Sequence, residues 1–92
     1  MNKALHSVLD ERQKQDQKWG IQDHHPLLWL AIITEEVGEL AQEIIEIRKT
    51  TELTEWREHV RIEAVQVAAA ALAMIEAIDR NVLSSGDEDK NK

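Results

Sequence analysis

Two pairs of oxygen-bearing side chains stand three residues apart in this sequence. Glu36 and Glu39 form the first pair, and Glu63 and Gln66 form the second. On an α-helix, side chains at positions i and i+3 lie on one face about a turn apart. Each pair therefore directs two oxygen ligands the same way. Ligands of this kind suit magnesium or manganese, which bind carboxylates and keep water molecules free for a substrate.

The surroundings of the second pair make it the more informative one. Residues 62–78 contain only three polar side chains, Glu63, Gln66 and Glu76. An unpartnered carboxylate in such an environment costs on the order of several kcal/mol, so Glu63 should gain a partner or stay protonated. The many alanines let another helix approach closely. We therefore expect Glu63 to lie within reach of the glutamates of the first pair.

Simpler interpretations compete with a metal site. The first pair also fits a solvated acidic face, which is common on amphipathic helices. Glu63 also fits a buried pair with Gln66, or a salt bridge to Arg57 or Arg61.

The elements that position these residues are predicted to be helices throughout. Strong helix formers dominate, proline and glycine are scarce, and no run alternates with period two. The pattern predicts an all-α bundle of three main helices per chain, over about 3–18, 26–49 and 54–83. Pro26 suits the first position of the second helix, and Thr54 is the predicted N-cap of the third.

Oligomerisation follows from the second helix, whose two adjacent apolar rows cover about half of its circumference. A helix buried so broadly in a chain of 92 residues implies neighbours from another subunit. We expect a homodimer or homotetramer that completes four-helix-bundle-like cores. Residues 1–83 are predicted to form one domain, and residues 84–92 a disordered acidic and polar tail.

The composition excludes several classes of function. The formal net charge is −7, which disfavours binding to nucleic acid or to an anionic membrane. The chain has no cysteine, so no disulfide or thiolate metal site is possible. The apolar stretch at 67–75 is far shorter than the ~20 residues that span a bilayer, and the first residues are too polar for a secretory signal. These features predict a cytoplasmic location.

Several motifs together resemble the MazG-like branch of the all-α nucleotide pyrophosphohydrolases. The matching residues are Lys18-Trp19-Gly20, Gln22, His24, Trp29, Glu35-Glu36-Val37-Gly38-Glu39-Leu40, and Glu63 with Gln66-Val67-Ala68-Ala69. The similarity covers roughly residues 8–80. It implies magnesium-dependent hydrolysis of a nucleoside triphosphate substrate between the α and β phosphates, giving a monophosphate and pyrophosphate. Such enzymes clear non-standard or excess nucleotides and assemble as dimers or tetramers.

The resemblance also implies roles for the acidic residues. The metal-holding positions of the family map onto Glu36, Glu39, Glu63 and Gln66, and Glu35 commonly belongs to the same cluster. Glu35 is our candidate for orienting or deprotonating the attacking water. The family pattern has aspartate where this chain has Gln66, whose carbonyl can ligate magnesium but carries no charge. A catalytically weak or inactive nucleotide- and metal-binding oligomer is therefore the alternative.

The first interhelical loop and the residues before it supply candidates for substrate binding. Trp19 could stack on a base, a contact worth about 1–3 kcal/mol. Lys18 could contact phosphate, His24 phosphate or ribose, and Gln22 stands beside them in the same loop. For Trp29 we favour a role as a core anchor.

Overall fold

The computed structural model describes residues 2–46 and 53–80. Within these ranges the chain forms three α-helices and no strand: α1 (Lys3–Trp19), α2 (Pro26–Glu46) and α3 (Leu53–Asp79). The prediction of an all-α fold with three main helices is confirmed. The predicted ends of the second and third helices, near 49 and 83, and the predicted tail at 84–92 lie outside the described residues.

The boundaries of α1 have clear local causes. The Asn2 side chain accepts a hydrogen bond from the Leu5 N–H at 2.8 Å, which satisfies one of the free donors of the first turn. At the other end, Gly20 has φ 77°, a left-handed value that favours glycine, and its N–H donates to the Asp16 carbonyl at 2.9 Å. The first helix is therefore terminated by its own sequence.

The start of α2 agrees with the prediction and the start of α3 does not. Pro26 is the first residue of α2, and the preceding His25 accepts the Leu27 N–H on Nδ1 at 3.0 Å. The third helix already includes Leu53, so Thr54 is its second residue. Thr54 cannot act as the N-cap, because that position requires a non-helical backbone. The prediction of Thr54 as the N-cap was therefore wrong, because α3 starts before Thr54.

The core lies along α3, which packs against both α1 and α2. Its fully buried side chains are small, and one large side chain from α2 joins them; the buried hydrophobic residues are Trp29, Ala69, Ala70, Ala73 and Ala77. Ile32 and Met74 pack around this group. Because alanine keeps the helix surface narrow, α2 can lie close to α3 along the side that carries Glu63.

A buried arginine joins α1 to α3. Arg12 Nε donates to Glu76 Oε1 at 3.1 Å, and its Nη atoms donate to Gln15 at 3.1 Å and to Asp16 at 3.0 Å. The arginine is only 9% exposed. A charge buried to this extent is tolerated because all of these partners are acceptors and two of them are carboxylates.

Many large apolar side chains remain exposed on the single chain. They occur on all three helices and in the first loop: Leu5, Leu9, Trp19, Ile21, Leu27, Leu28, Leu30, Val37, Ile44, Ile45, Ile62, Ile75 and Ile78. In the two apolar rows predicted for α2, Ile33 and Leu40 are half-buried, whereas Leu27, Val37, Ile44 and Ile45 are exposed. Within the described ranges, no helix has both the length and the apolar character needed to cross a bilayer.

Candidate functional site

Three of the four predicted ligand residues lie together. Glu36 and Glu39 of α2 and Glu63 of α3 each offer one carboxylate oxygen, and these oxygens all lie within 4.8 Å of one another. The i, i+3 spacing brings the first two together, and the alanine-rich packing of α3 brings the third to them. The cluster is only partly open to water, since Glu36 and Glu63 are half-buried while Glu39 is exposed.

One oxygen of Glu36 is buried without compensation. Within the described residues, its Oε1 atom has no hydrogen-bond partner. Burial raises the pKa of Glu36, and the charges of Glu39 and Glu63 raise that pKa further. A proton or a cation bound at this carboxylate would offset both effects.

Glu63, on the opposite helix, also has one uncompensated oxygen. Its Oε1 atom is buried and has no hydrogen-bond partner among the residues that the structure describes. Burial raises the pKa of Glu63, with smaller contributions from the charges of Glu39 and Glu43 and from a hydrogen bond to Glu39 in the protonated form. Within the described residues Glu63 has no salt bridge, and Arg61 donates instead to Ser7 Oγ at 3.0 Å.

This donor set fits a hard divalent cation. Three carboxylates converge on a small volume, and two of them have a buried oxygen without a partner. Oxygen-only ligands of this type suit magnesium or manganese, and the absence of histidine and cysteine from the cluster disfavours softer metals. Gln66, the fourth predicted ligand, lines the same cleft as Glu36.

Two connected clefts open beside the carboxylates. The aromatic cleft, of about 270 Å³, is lined by Gln15, Trp19, Gln22, Trp29, Ile32, Glu36, Ala70 and Ala73. The charged cleft, of about 410 Å³, is lined by Glu11, Lys14, Gln15, Lys18, Trp19, Glu36 and Gln66. Gln15, Trp19 and Glu36 belong to both. One wall of each cleft therefore reaches the acidic cluster.

The two tryptophans of the aromatic cleft differ in exposure. Trp19 is 59% exposed, and the Lys18 ammonium lies 4.7 Å from the centre of its ring. Trp29 is 1% exposed, so the expectation that it anchors the core is confirmed. The His24 ring packs edge-on against Trp29 at 4.8 Å between centroids, and His24 is not among the residues that line either cleft. Trp19 is therefore the more accessible of the two rings, with the Lys18 ammonium over one of its faces.

The loop that carries Gln22 is held by the last described residue of the chain. Arg80 donates from Nε to Asp23 Oδ1 at 3.1 Å and from Nη2 to the Gln22 carbonyl at 3.3 Å. These bonds join the C-terminal end of α3 to the loop between α1 and α2. Gln22 is therefore positioned in the wall of the aromatic cleft by contacts distant in sequence.

Glu35, the predicted water-orienting residue, lies outside the triad of carboxylates. It is exposed, and its charge raises the pKa of the neighbouring Glu36. Of the remaining predicted site residues, Lys18 and Trp19 line the charged cleft, whereas Trp19 and Gln22 line the aromatic one.

Residues of α1 were missed in the sequence. Glu11, Lys14 and Gln15 line the charged cleft together with Lys18. Their positions relative to Glu11 are i, i+3, i+4 and i+7, the spacing of one helical face, and this signal could have revealed them. The Arg12–Glu76 and Arg80–Asp23 contacts had no such signal, because they join residues far apart in the sequence.

Comparison of the chain with protein-family models, with curated proteins and with solved structures found no match.

Proposed function

We propose that this protein hydrolyses ribo- or deoxyribonucleoside triphosphates between the α and β phosphates, giving the monophosphate and pyrophosphate. The reaction depends on magnesium, with manganese as a substitute, and serves to clear nucleotides from the cytoplasmic pool. The resemblance of the motifs to the MazG-like pyrophosphohydrolases supports the reaction type. The observation that carries the proposal is the convergence of Glu36, Glu39 and Glu63, two of them with a buried oxygen that has no partner.

The acidic residues divide into two roles in this proposal. Glu36, Glu39 and Glu63 hold the metal, and the Gln66 amide oxygen assists them. A bound magnesium ion supplies charge neutralisation at the phosphate oxygens and polarisation of water for in-line attack. Glu35 orients the attacking water or accepts its proton, since it is exposed beside Glu36 and free to reach a solvent molecule.

The nucleotide occupies the two clefts on either side of Trp19. The exposed ring of Trp19 stacks on the base, and the Gln22 side chain offers hydrogen bonds to its edge. Lys18 contacts phosphate from the charged cleft. His24 supports this arrangement by packing against Trp29, and it reaches ribose or phosphate only if its ring turns away from the tryptophan.

The active form is a homodimer or homotetramer. Thirteen large apolar side chains are exposed among the residues that the structure describes, and they extend over all three helices. Association would remove this surface from water, which is worth roughly 25 cal/mol per Å² of apolar area. Partner helices would complete four-helix-bundle-like cores.

The test is an assay of purified protein with magnesium and a panel of ribo- and deoxyribonucleoside triphosphates, with products separated by ion-exchange chromatography. We expect monophosphate and pyrophosphate from the wild type and at least about a hundredfold loss of turnover in Glu36→Gln and Glu63→Gln. Glu58→Gln, the same change at an exposed position of α3, serves as the matched control and should retain activity. Release of diphosphate and phosphate would contradict the proposed bond.

A second candidate function is metal-dependent nucleotide binding without turnover, and Gln66 is the observation that favours it. The glutamine supplies one negative charge fewer than the aspartate of the family pattern. This function predicts that nucleotide with magnesium raises the melting temperature, since ligand at 100 times its Kd adds ~2.7 kcal/mol, while no product forms. Gln66→Asp should then create turnover. A melting temperature unchanged by magnesium and nucleotide would leave only a structural oligomer.

A further inference from the structure

The wall of the charged cleft formed by α1 carries two lysines. Lys14 and Lys18 stand one helical turn apart, with Gln15 beside them, and all three line the same cleft as Glu36 and Gln66. Within the described residues neither lysine forms a salt bridge, and Lys18 lies over the ring of Trp19. Two ammonium groups are thus exposed to one cleft in a chain whose net charge is −7.

The charges along this wall are ordered. Glu11, one turn before Lys14, lines the same cleft as Glu36, and its charge contributes to raising the pKa of Glu36. The two lysines follow toward the C-terminal end of α1, next to Trp19. A metal-bound anion that extends from the carboxylates along α1 therefore passes from the negatively charged part of the cleft to the positively charged part.

We infer that Lys14 and Lys18 bind the terminal phosphates of a polyphosphate chain and make the site selective for triphosphates over shorter phosphates. The inference rests on the proposed function and deepens it. Trp19 belongs to both clefts, so a base stacked on it leaves the phosphate chain to run past Glu36 into the charged cleft. A triphosphate keeps negative charge after one divalent cation is bound, and the lysines meet that charge as point cations.

A monophosphate gains much less from this wall. Its single phosphate stays at the acidic cluster, and the lysine wall has no anion to contact. Affinity for the product therefore depends little on Lys14, whereas affinity for the triphosphate depends on it strongly. The same contact should weaken as salt is added, because the lysines are exposed and their charges are screened.

The test measures binding of inorganic tripolyphosphate and of orthophosphate, each with magnesium, to the full chain by titration calorimetry. We expect Lys14→Gln to weaken tripolyphosphate binding by about tenfold, the size of a lost charge-assisted hydrogen bond. Orthophosphate binding should change by less than about twofold in the same variant, since the exposed lysine then contributes little. The Lys14→Arg variant should bind tripolyphosphate as tightly as the wild type does. The double variant with Lys14→Gln and Lys18→Gln should bind it more weakly than either single variant.

Lys3→Gln, at an exposed position in the first turn of α1, is the matched control for the loss of one positive charge. The inference is overturned if Lys14→Gln and Lys3→Gln bind tripolyphosphate equally well, or if the wild type does not bind it. Tripolyphosphate binding that depends on Lys14, in a protein that hydrolyses no nucleotide, would support the inference and reject the hydrolase proposal. If the protein hydrolyses nucleotides and Lys14→Gln leaves the Michaelis constant unchanged, the hydrolase proposal is supported and the inference about the lysines is rejected.

Discussion

At the scale of single residues, the carboxyls of Glu36 and Glu63 are the unusual groups of this protein. Burial and neighbouring carboxylates raise both pKa values above the ordinary value of 4.5. The folded chain therefore binds protons that the unfolded chain has already released. The two carboxyl groups therefore contribute to folding stability below pH 4.5, and this contribution is lost as the pH rises through their raised pKa values.

This direction of the pH dependence of stability leads to a prediction for the metal-free protein. Glu63→Gln removes the group that must be ionised in a buried position, so the variant should melt at a higher temperature than the wild type at neutral pH. The difference should shrink as the pH falls, because the raised pKa lets the wild-type carboxyl take up a proton before an ordinary glutamate does. Thermal unfolding followed by circular dichroism in the presence of a chelator measures both values.

Glu58→Gln is the control for this pH series, because Glu58 is exposed on the same helix. A melting temperature for Glu63→Gln that stays below that of the wild type at every pH would show that the carboxylate is stabilising. It would then contradict the interpretation of Glu63 as a group that needs a cation.

At the scale of secondary-structure elements, side-chain contacts determine how the first loop meets the bundle. Arg12 joins α1 to α3 near the centre of the fold, and Arg80 joins the end of α3 to Asp23 and Gln22. A cavity of about 140 Å³ lies between these contacts, lined by Arg12, Asp16, Ile21, Gln22, Ala73, Glu76 and Arg80. The two arginines thus define the position of the wall that carries Gln22.

We predict that Arg80→Ala loosens this loop while barely changing global stability. The Arg80–Asp23 pair is about one-third exposed on each side, and a pair of this kind contributes ~0–1 kcal/mol. Amide hydrogen exchange of residues 20–25 should accelerate several-fold, and the midpoint of denaturation should hardly move.

The matched control for the loop is Arg61→Ala, which removes another exposed arginine of α3 that bonds to α1 through Ser7. It should leave exchange in residues 20–25 unchanged. Equal exchange rates in the wild type and in Arg80→Ala would show that the loop is held by Gly20 and His25 alone.

At the scale of the whole molecule, the exposed apolar surface is the dominant feature. Along α2 the large residues Val37, Ile44 and Ile45 are 45–57% exposed, and Ile62 of α3 is 54% exposed. Single exposed leucines or isoleucines are ordinary in proteins, but large exposed side chains on two packed helices support the proposed association of subunits.

We predict that Ile44→Lys lowers the mass of the particle in solution. A charge introduced into an apolar interface must be desolvated without a partner, which opposes association. Light scattering coupled to size-exclusion chromatography measures the mass, with Ile21→Lys in the exposed first loop as the control. A wild-type mass equal to one chain would contradict the proposed dimer or tetramer.

Local features of the sequence were sufficient to predict the helices. Pro26 marked the start of α2, and the scarcity of other helix breakers indicated long helices. The sequence also indicated Trp29 as a core residue. The juxtaposition of Glu63 with the α2 glutamates also followed from the alanine-rich face of α3. The start of α3 at Leu53 was misjudged, because a cap depends on backbone angles that residue type alone does not specify.

The sequence by itself determined which residues share a helical face, since that depends only on the period of the helix. The tertiary structure decided which faces meet. It buried one oxygen each of Glu36 and Glu63, brought the lysines of α1 to the same cleft as Glu36, and bound Arg12 to Glu76. These outcomes depend on the packing of helices that are distant in sequence, where small differences in side-chain volume and charge choose among many possible contacts.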